Sequence, residues 1–274
     1  MAGGATELPP LSTCAVHVWT IALDRLPAER LKLILSPEEV EQASRHRLDV
    51  DRSHRVCARG ALRLLLGHYL NESPAAIRFG ATGHGKPALM WPERPLEFNV
   101  AHAAGWALAA FAYSTPLGVD LERIDPRSVD EPLLEAVLTE QEREGLAACN
   151  ASERTRRFFE LWTMKEAWAK ADGSGLVRGP ASFPVGHPND GRRPWIVGHV
   201  TPLPGFASAL AVAASVHPTV ELYSLEGHLP GVPVYALTPR ADSSTRETFS
   251  MSTRQWRSRS WVTDVSSAEP TIGR

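Results

Sequence analysis

A strand-like run near the middle of the chain, GVDLE at residues 118–122, carries two carboxylates two residues apart. Because side chains alternate across a strand, Asp120 and Glu122 point to one face while Val119 and Leu121 point to the other. Neighbouring anions repel, and a hard divalent cation such as Mg2+ relieves that repulsion while keeping waters and phosphate oxygens as further ligands. The pattern alone is also typical of an edge strand whose polar face is solvated.

A third acid lies on a helix-like run, LWTMKEAWAKADGSG at residues 161–175. At helical spacing Glu166 and Lys170 are one turn apart, on the face that also carries Phe159 and Trp162. Since large apolar residues flank this face, we expect much of the helix to be buried, and a buried carboxylate needs a partner such as Lys170 or a metal ion. An exposed Glu–Lys salt bridge is the alternative interpretation.

Basic side chains that could bind an anion occur earlier in the chain. Lys86 lies in GKP beside flexible glycines and could contact a phosphate, but Pro87 excludes a P-loop, which needs Ser or Thr and then a helix. His102 ends the strand-like run FNVAH, where a lone histidine is more often a structural hydrogen-bonding residue than a ligand. Four arginines near a predicted helix start either hold an anion or form a solvated face: Arg47, Arg52, Arg55 and Arg59.

The composition limits the partners of the protein. The 274 residues carry a net charge of -2, so no overall field favours nucleic acid or an anionic membrane, and any anion site must be local. Three cysteines far apart in the sequence, with no CxxC, argue against a disulfide framework or a zinc knuckle. The first residues lack a signal-peptide pattern and no apolar stretch is long enough to span a bilayer. We therefore expect a soluble, cytoplasmic protein.

Two helix pairs are predicted, about a hundred residues apart. Ser36 with Glu39, and Thr139 with Glu142, have the spacing of capping boxes, and each precedes a longer helical pattern, about residues 52–70 and residues 153–171. The repeat suggests a weak internal duplication, with chance recurrence of capped helix pairs as the alternative.

Short apolar runs predict the strands. They lie at residues 14–23, 98–102, 106–113, 117–122, 195–201 and 206–216, followed by the run VELYSL. The three central runs are separated by AAG and STP, which predicts a meander joined by tight turns. Beyond residue 227 the pattern is lost in a Ser/Thr-rich segment with scattered arginines, which we expect to be a poorly ordered tail.

Taken in order, GKP, FNVAH, GVDLE and LWTMKEAWAKADGSGL resemble the 4'-phosphopantetheinyl transferases, specifically the larger class that activates peptide and polyketide synthases. That family has a (V/I)G(V/I)D(V/I)E strand and a W(S/T)xKEAxxKxxGxG helix, matched at residues 118–122 and 162–175. The resemblance implies an α+β fold of two similar α/β halves related by pseudo-two-fold symmetry. The expected halves are residues 1–117 and 118–226, with 227–274 as the tail, and a cleft inside one chain favours a monomer.

The resemblance also implies roles for individual residues. Matching motif positions would make Asp120, Glu122 and Glu166 the Mg2+ ligands, with Lys165 and Lys170 near the phosphates of coenzyme A. Lys86, His102 and, from the basic segment, Arg55 would contact the coenzyme, with His102 at its 3'-phosphate. The family often has serines on both sides of this histidine, where this chain has Ala101 and Ala103, so any hydroxyl contact made there would be absent.

The implied reaction moves the phosphopantetheine arm of coenzyme A to a serine of an apo acyl or peptidyl carrier protein and releases adenosine 3',5'-bisphosphate. Such phosphoryl transfer depends on positioning and on neutralising phosphate charge, with Mg2+ as the expected cofactor. Glu166 would accept the serine proton and Lys170 would stabilise charge on the phosphate.

Two other functions stay open at the level of sequence. A Mg2+-dependent nucleotide pyrophosphohydrolase also needs clustered carboxylates, although the chain lacks a denser glutamate helix. A non-catalytic module that binds coenzyme A or a carrier protein is the other alternative, supported by the alanines beside His102.

Overall fold

The computed structural model describes residues 10–81, 86–173, 179–185, 194–200, 203–214, 218–225 and 237–238. The strands are β1 (Ala15–Ala22), β2 (Arg78–Ala81), β3 (Pro87–Trp91), β4 (Leu96–Ala103), β5 (Trp106–Tyr113), β6 (Leu117–Arg123), β7 (Trp195–His199), β8 (Phe206–Ala213), β9 (Thr219–Leu225) and β10 (Leu237–Thr238). The helices are α1 (Ala28–Lys32), α2 (Pro37–Ser44), α3 (Asp49–Leu70), α4 (Glu131–Val137), α5 (Glu140–Ala147) and α6 (Ala151–Asp172). Short 3-10 turns lie at Leu23–Arg25, Pro74–Ala76, Pro126–Ser128 and Pro180–Ser182. The fold is α+β, as the resemblance implies.

The larger strands form two sheets. The first has the order β10-β9-β1-β5-β4, with β1 antiparallel to β5 and parallel to β9. The second has the order β6-β8-β7 and is antiparallel throughout. β2 and β3 form a separate hairpin.

The sheets and the two long helices stack in four layers. Strand β5 shows why, because its alternate residues enter different cores. Ala107, Ala109 and Phe111 pack with residues of α3, whereas Leu108, Ala110 and Ala112 pack with the second sheet. Strand β8 alternates in the same way, since Leu210 and Val212 face the first sheet while Ala209 and Ala211 face α6. The order of layers is therefore α3, first sheet, second sheet, α6.

Both predicted capping boxes are confirmed. The Ser36 hydroxyl accepts from the Glu39 amide at 3.3 Å, and the Glu39 carboxylate accepts from the Ser36 amide at 2.8 Å. At α5 the reciprocal bonds of Thr139 and Glu142 are 3.3 and 2.9 Å. Each box is followed by a helix of 22 residues, α3 or α6, slightly longer than the patterns indicated. The second ends at Gly173, whose φ of 77° lies in the left-handed region that glycine accepts most easily.

The strand pairing differs from the sequence-based expectation in two places. The three-stranded meander is wrong for its third strand, because β6 pairs with β8 in the other sheet and not with β5. Strand β9 lies inside the range expected for the C-terminal half, yet it pairs with β1 of the first sheet. Both differences come from long-range pairing, which the spacing of apolar runs does not encode.

Little of the predicted tail is described. Leu237 and Thr238 pair with β9, and the rest of residues 227–274 lies outside the described residues. In the ranges that the structure covers, none of the helices combines the length and the apolar character that crossing a membrane requires.

Candidate active site

Strand β6 and helix α6 hold the carboxylates predicted from the sequence. Val119 and Leu121 enter the core between the sheets, so Asp120 and Glu122 face α6, as alternation requires. Gly118 explains how closely the two elements meet, because a Cβ atom there would overlap the carbonyl oxygen of Ala167 and lie 2.5 Å from the amide nitrogen of Ala171. The glycine of the motif therefore lets β6 lie directly on the backbone of α6.

A buried amide fixes β6 from its other side. The Asn99 Oδ1 on β4 accepts a hydrogen bond from the Val119 amide at 2.9 Å, and Asn99 is buried. This bond connects the run FNVAH to the run GVDLE across the two sheets. Asn99 is not among the residues predicted from the sequence, although a carboxamide inside an otherwise apolar strand is a signal for such a role.

Asp120 is the most buried of the acids and forms an ion pair with α6. Lys170 Nζ donates a hydrogen bond to Asp120 Oδ1 at 2.6 Å. Asp120 Oδ2 is buried and has no hydrogen-bond partner within the described part of the chain. Burial raises the pKa of Asp120, and Lys170 opposes that rise. A buried oxygen without a partner is costly, so this atom is available to a ligand.

The charge of Asp120 affects the ionisation of both Glu122 and Glu166. Trp162 Nε1 donates to Glu122 Oε1 at 3.4 Å, which orients the carboxylate on the α6 side. Burial and then the charge of Asp120 raise the pKa of Glu122. Burial and Asp120 also raise the pKa of Glu166, with Lys170 acting in the opposite direction. The three acids therefore disfavour one another's ionisation across the β6–α6 contact.

These acids fit a divalent cation in kind and charge. Nowhere in the described ranges are three or more His, Cys, Asp or Glu side chains grouped closely enough to hold a metal ion as they stand. Mg2+, however, needs only one or two carboxylates and completes its shell with waters and phosphate oxygens. The unpartnered Oδ2 of Asp120 could supply one oxygen. Burial and the charge of Asp120 raise the pKa values of Glu122 and Glu166, so a cation beside these carboxylates would stabilise their ionised forms.

Several basic side chains lie near His102. His102 lies at the end of β4, where its side chain still reaches solvent although neighbouring atoms partly desolvate the ring. This desolvation, followed by the charges of Arg55 and Lys170, lowers the pKa of His102. His46 and His54 lower it further. Since positive charges raise the local potential, an anion would be stabilised here. The sequence analysis missed His46 and His54, although the basic run RHRLDVDRSHR at residues 45–55 contains both.

The four arginines of the predicted cluster do not act together. Arg52 donates hydrogen bonds to the carbonyl oxygens of His46 and Arg47 and thereby stabilises the loop that precedes α3. Arg59 donates to the buried carboxylate of Glu39 at 2.5 Å. Arg55 is exposed and is the member of this set whose charge reaches His102.

The remaining predicted contacts lie apart from the acids. Lys86 Nζ donates to the Leu117 carbonyl at the start of β6 at 3.0 Å, and burial lowers its pKa. Lys165 is not brought to the acidic group, because it is fully buried on another face of α6 and forms an ion pair with Glu142 at 2.7 Å. Ala101 and Ala103 pack with the core between the sheets, on the side opposite His102. The motif glycine at position 175 lies outside the described residues.

The raised pKa values predict how pH and Mg2+ affect stability. Between the ordinary carboxyl pKa of about 4 and the raised values, the folded protein binds more protons than the unfolded chain, so the free energy of unfolding falls as pH rises. Glu122→Gln keeps an acceptor for Trp162 but cannot ionise. In EDTA, we expect the melting temperature of this variant to increase relative to that of the wild type as pH rises from about 4 to 8.

In Mg2+ we expect the wild type to melt at the higher temperature, because a cation held at these acids would have one more carboxylate in the wild type than in the variant. Thermal melts of both proteins across the pH series, with and without Mg2+, measure the effect. Parallel curves for wild type and variant would contradict the electrostatic coupling between Glu122 and Asp120.

Comparisons with known proteins identify relatives of the chain. A family model described as the 4'-phosphopantetheinyl transferase superfamily matches residues 116–204, which include β6 and α6. The 4'-phosphopantetheinyl transferase HetI of Nostoc sp. is 35% identical over 167 residues, covering 60% of this chain and 70% of HetI. The 4'-phosphopantetheinyl transferase ffp of Bacillus subtilis is 31% identical over 171 residues, covering 62% and 74%. Sfp of Bacillus subtilis, another protein of that name, is 30% identical over 165 residues, covering 60% and 71%. The chain belongs to the 4'-phosphopantetheinyl transferase superfamily.

Proposed function

We propose that the protein transfers the 4'-phosphopantetheine arm of coenzyme A to a serine of an apo acyl or peptidyl carrier protein in a Mg2+-dependent reaction, releasing adenosine 3',5'-bisphosphate. The observation that carries this proposal is the state of Asp120, which pairs with Lys170 through one oxygen and keeps the other buried and unpartnered beside Glu122 and Glu166. Its relatives HetI, ffp and Sfp are named for the same activity.

The cationic group would bind the phosphates of coenzyme A. His102 and Arg55, with His46 and His54 nearby, suit the 3'-phosphate because several positive charges converge on one exposed position. Lys170 would connect this group with the acids, since it is bonded to Asp120 and its charge also acts on His102. With the 3'-phosphate at the histidines, the pyrophosphate of the bound coenzyme would lie near the carboxylates. Lys86, which is bonded to the first carbonyl of β6, would contribute a positive charge at the edge of the cleft.

Asp120, Glu122 and Glu166 would hold Mg2+, which when bound neutralises charge on the pyrophosphate oxygens. Glu166 would accept the proton of the carrier serine, directly or through a water. The serine oxygen bonds to the β-phosphorus as the bond to the bridging oxygen breaks, and adenosine 3',5'-bisphosphate leaves. Lys170, one helical turn from Glu166, would stabilise the charge that develops on the phosphate.

We further propose that two α/β halves related by a pseudo-two-fold axis build this cleft within a monomer in the cytoplasm. The support is the repeated order of capping box, short helix, 22-residue helix and sheet in α2–α3 and α5–α6. The ranges 1–117 and 118–226 describe these halves, except that β9 completes the first sheet.

The activity is tested by incubating the protein with coenzyme A, Mg2+ and a panel of apo carrier proteins. Intact-mass spectrometry should show the addition of one phosphopantetheine arm to at least one carrier. Carriers whose acceptor serine is replaced by alanine, and reactions in EDTA, serve as controls and should show none. Cleavage of coenzyme A without a carrier would instead indicate a pyrophosphohydrolase, and binding without any turnover would indicate a non-catalytic module.

A further inference from the structure

Lys165, the residue before Glu166, uses all its hydrogen-bonding capacity inside the protein. Its Nζ lies 2.7 Å from Glu142 Oε2 and donates to the carbonyl oxygens of Pro180 and Phe183 at 2.8 and 2.9 Å. A lysine ammonium has three donors, and these three acceptors account for them. The side chain is 0% exposed. No donor of this ammonium is left for a phosphate of coenzyme A.

Glu142 joins the same arrangement to two further segments. Its Oε2 accepts from the Thr139 amide in the capping box of α5, and its Oε1 accepts from the Val185 amide at 2.9 Å. One buried pair, Lys165 with Glu142, therefore ties together the start of α5, the middle of α6 and residues 179–185.

The N-terminal part of the chain contains the same construction. Arg63 is buried on α3 and donates through Nε to Glu39 Oε2 at 2.8 Å. Glu39 is the capping-box glutamate of α2, as Glu142 is of α5. Arg63 also donates to the carbonyl oxygens of Pro74 and Ile77, at 2.7 and 2.9 Å, in and just after the 3-10 turn that follows α3.

The two constructions correspond in position as well as in chemistry. Arg63 lies 14 residues after the first residue of α3 (49 to 63), and Lys165 lies 14 residues after the first residue of α6 (151 to 165). Each cation lies 5.2 Å from the ring centroid of a phenylalanine beyond the 3-10 turn, Phe79 or Phe183. The Arg63–Glu39 construction lies in the part of the chain without the three acids. Its role is therefore structural, since it joins the two helices to the 3-10 turn.

We propose that Lys165 and Glu142 form a clamp, defined by these two side chains and the carbonyls of Pro180 and Phe183, that positions Glu166 for the transfer reaction. Neighbouring residues on a helix are separated by about 100° around its axis. Fixing the direction of Lys165 into the protein therefore fixes the direction of Glu166 toward β6. Lys165 is a positioning residue, and its role in turnover rests on the proposed function.

The alternative role for Lys165 is the phosphate contact that the family resemblance implies. The two roles differ in whether turnover depends on Glu142. A lysine that contacts phosphate would not depend on a glutamate of α5, whereas a clamp fails when either partner is lost. The two roles also differ in whether the change appears in coenzyme A affinity or in kcat.

The test compares Lys165→Met, Glu142→Gln and the double variant with Arg63→Met as the matched control from the other construction. Gln at position 142 keeps the capping-box acceptor and removes the charge. We expect Lys165→Met and Glu142→Gln to lower kcat by on the order of tenfold to a hundredfold, because small displacements of a reacting group are expensive. The double variant should be no worse than the more damaging single change.

Coenzyme A affinity separates the two roles. Calorimetric dissociation constants, taken without a carrier protein, should stay within about twofold of wild type in every clamp variant. A tenfold or larger loss of affinity in Lys165→Met that is absent in Glu142→Gln would overturn the proposal in favour of a phosphate contact. An equal kcat loss in Arg63→Met would also overturn it, since general destabilisation would then explain the effect. Lys165→Arg should have a higher kcat than Lys165→Met, because it keeps the positive charge. If Lys165→Met does not fold, Lys165→Arg and Glu142→Gln can be compared instead.

Hydrogen exchange tests the clamp independently of any activity. Peptides covering residues 179–185 should exchange faster in both variants. Glu142→Gln removes the charge of the acceptor that the Val185 amide uses, and Lys165→Met removes the donor to the carbonyl oxygens of Pro180 and Phe183. The same peptides should be unchanged in Arg63→Met. Unchanged exchange in both clamp variants would overturn the clamp. If the wild type transferred the arm to none of the carriers, the proposed function would be refuted. The exchange result would still show whether the clamp exists.

Discussion

Glu166→Gln should lower kcat for phosphopantetheine transfer by on the order of a hundredfold or more. The substitution preserves the shape of the side chain but removes the proton acceptor and one carboxylate of the proposed metal site. The fold should not suffer, because burial and the charge of Asp120 already disfavour the ionised form of Glu166. Initial rates with a responsive carrier, together with melting temperatures, measure both expectations.

Glu160→Gln provides the matched control. Glu160 lies on the same helix and pairs with Arg156 four residues earlier, so its loss removes a partly exposed salt bridge of small value. We expect its turnover to equal that of wild type. Near-normal turnover by Glu166→Gln would refute the assigned role of Glu166, and an equal loss in both variants would point to a general effect of charge on α6.

Gly118→Ala should destabilise the protein by about 3 kcal/mol or more, at the upper end for an overpacked site. The added methyl group would meet backbone atoms of Ala167 and Ala171, and backbone cannot turn aside as a flexible side chain can. Strand β6 and helix α6 would have to separate, which would part Asp120 from Lys170. Urea denaturation should report the lost stability, and the transfer assay should report an accompanying loss of activity.

Gly145→Ala is the matched control for this change. Gly145 lies in α5. Apart from its chain neighbours and the backbone of α5, no heavy atom of the described residues lies within 4 Å of the position that its Cβ would take. Alanine is favoured over glycine inside a helix by roughly 0.5–1 kcal/mol, so this variant should gain stability and keep its activity. Wild-type stability of Gly118→Ala would show that β6 and α6 are not in direct backbone contact.

The local features of the fold could be predicted from the sequence, and the site could be predicted in part. The capping boxes, the two long helices and the facing of Asp120 and Glu122 follow from side-chain chemistry over a few residues. The pairing of β6 with β8 joins residues about ninety positions apart in the chain, and that of β9 with β1 joins residues about two hundred apart. Local patterns do not contain such contacts. Topology therefore had to come from the structure.

Lys165 and Lys170 show the same limit within the site. Both are lysines of one motif on one helix, and in the sequence both are equally suited to a phosphate. Their surroundings differ, because Lys170 meets Asp120 on β6 while Lys165 meets Glu142 on α5. A comparison of Lys165 with Arg63, each placed after a capping-box glutamate, would have been the available signal. His46 and His54 were missed for a related reason, since only the fold brings them to His102.

The parallel pairing of β1 with β9 has a consequence for synthesis of the protein. β1 is made about two hundred residues before β9, so one of its two hydrogen-bonding edges is covered only after residue 225 has been made. Until then the nascent chain presents an open apolar strand edge, which is a template for intermolecular pairing. Chains that end before residue 219 should therefore accumulate as aggregates, even though they contain every side chain assigned to the site.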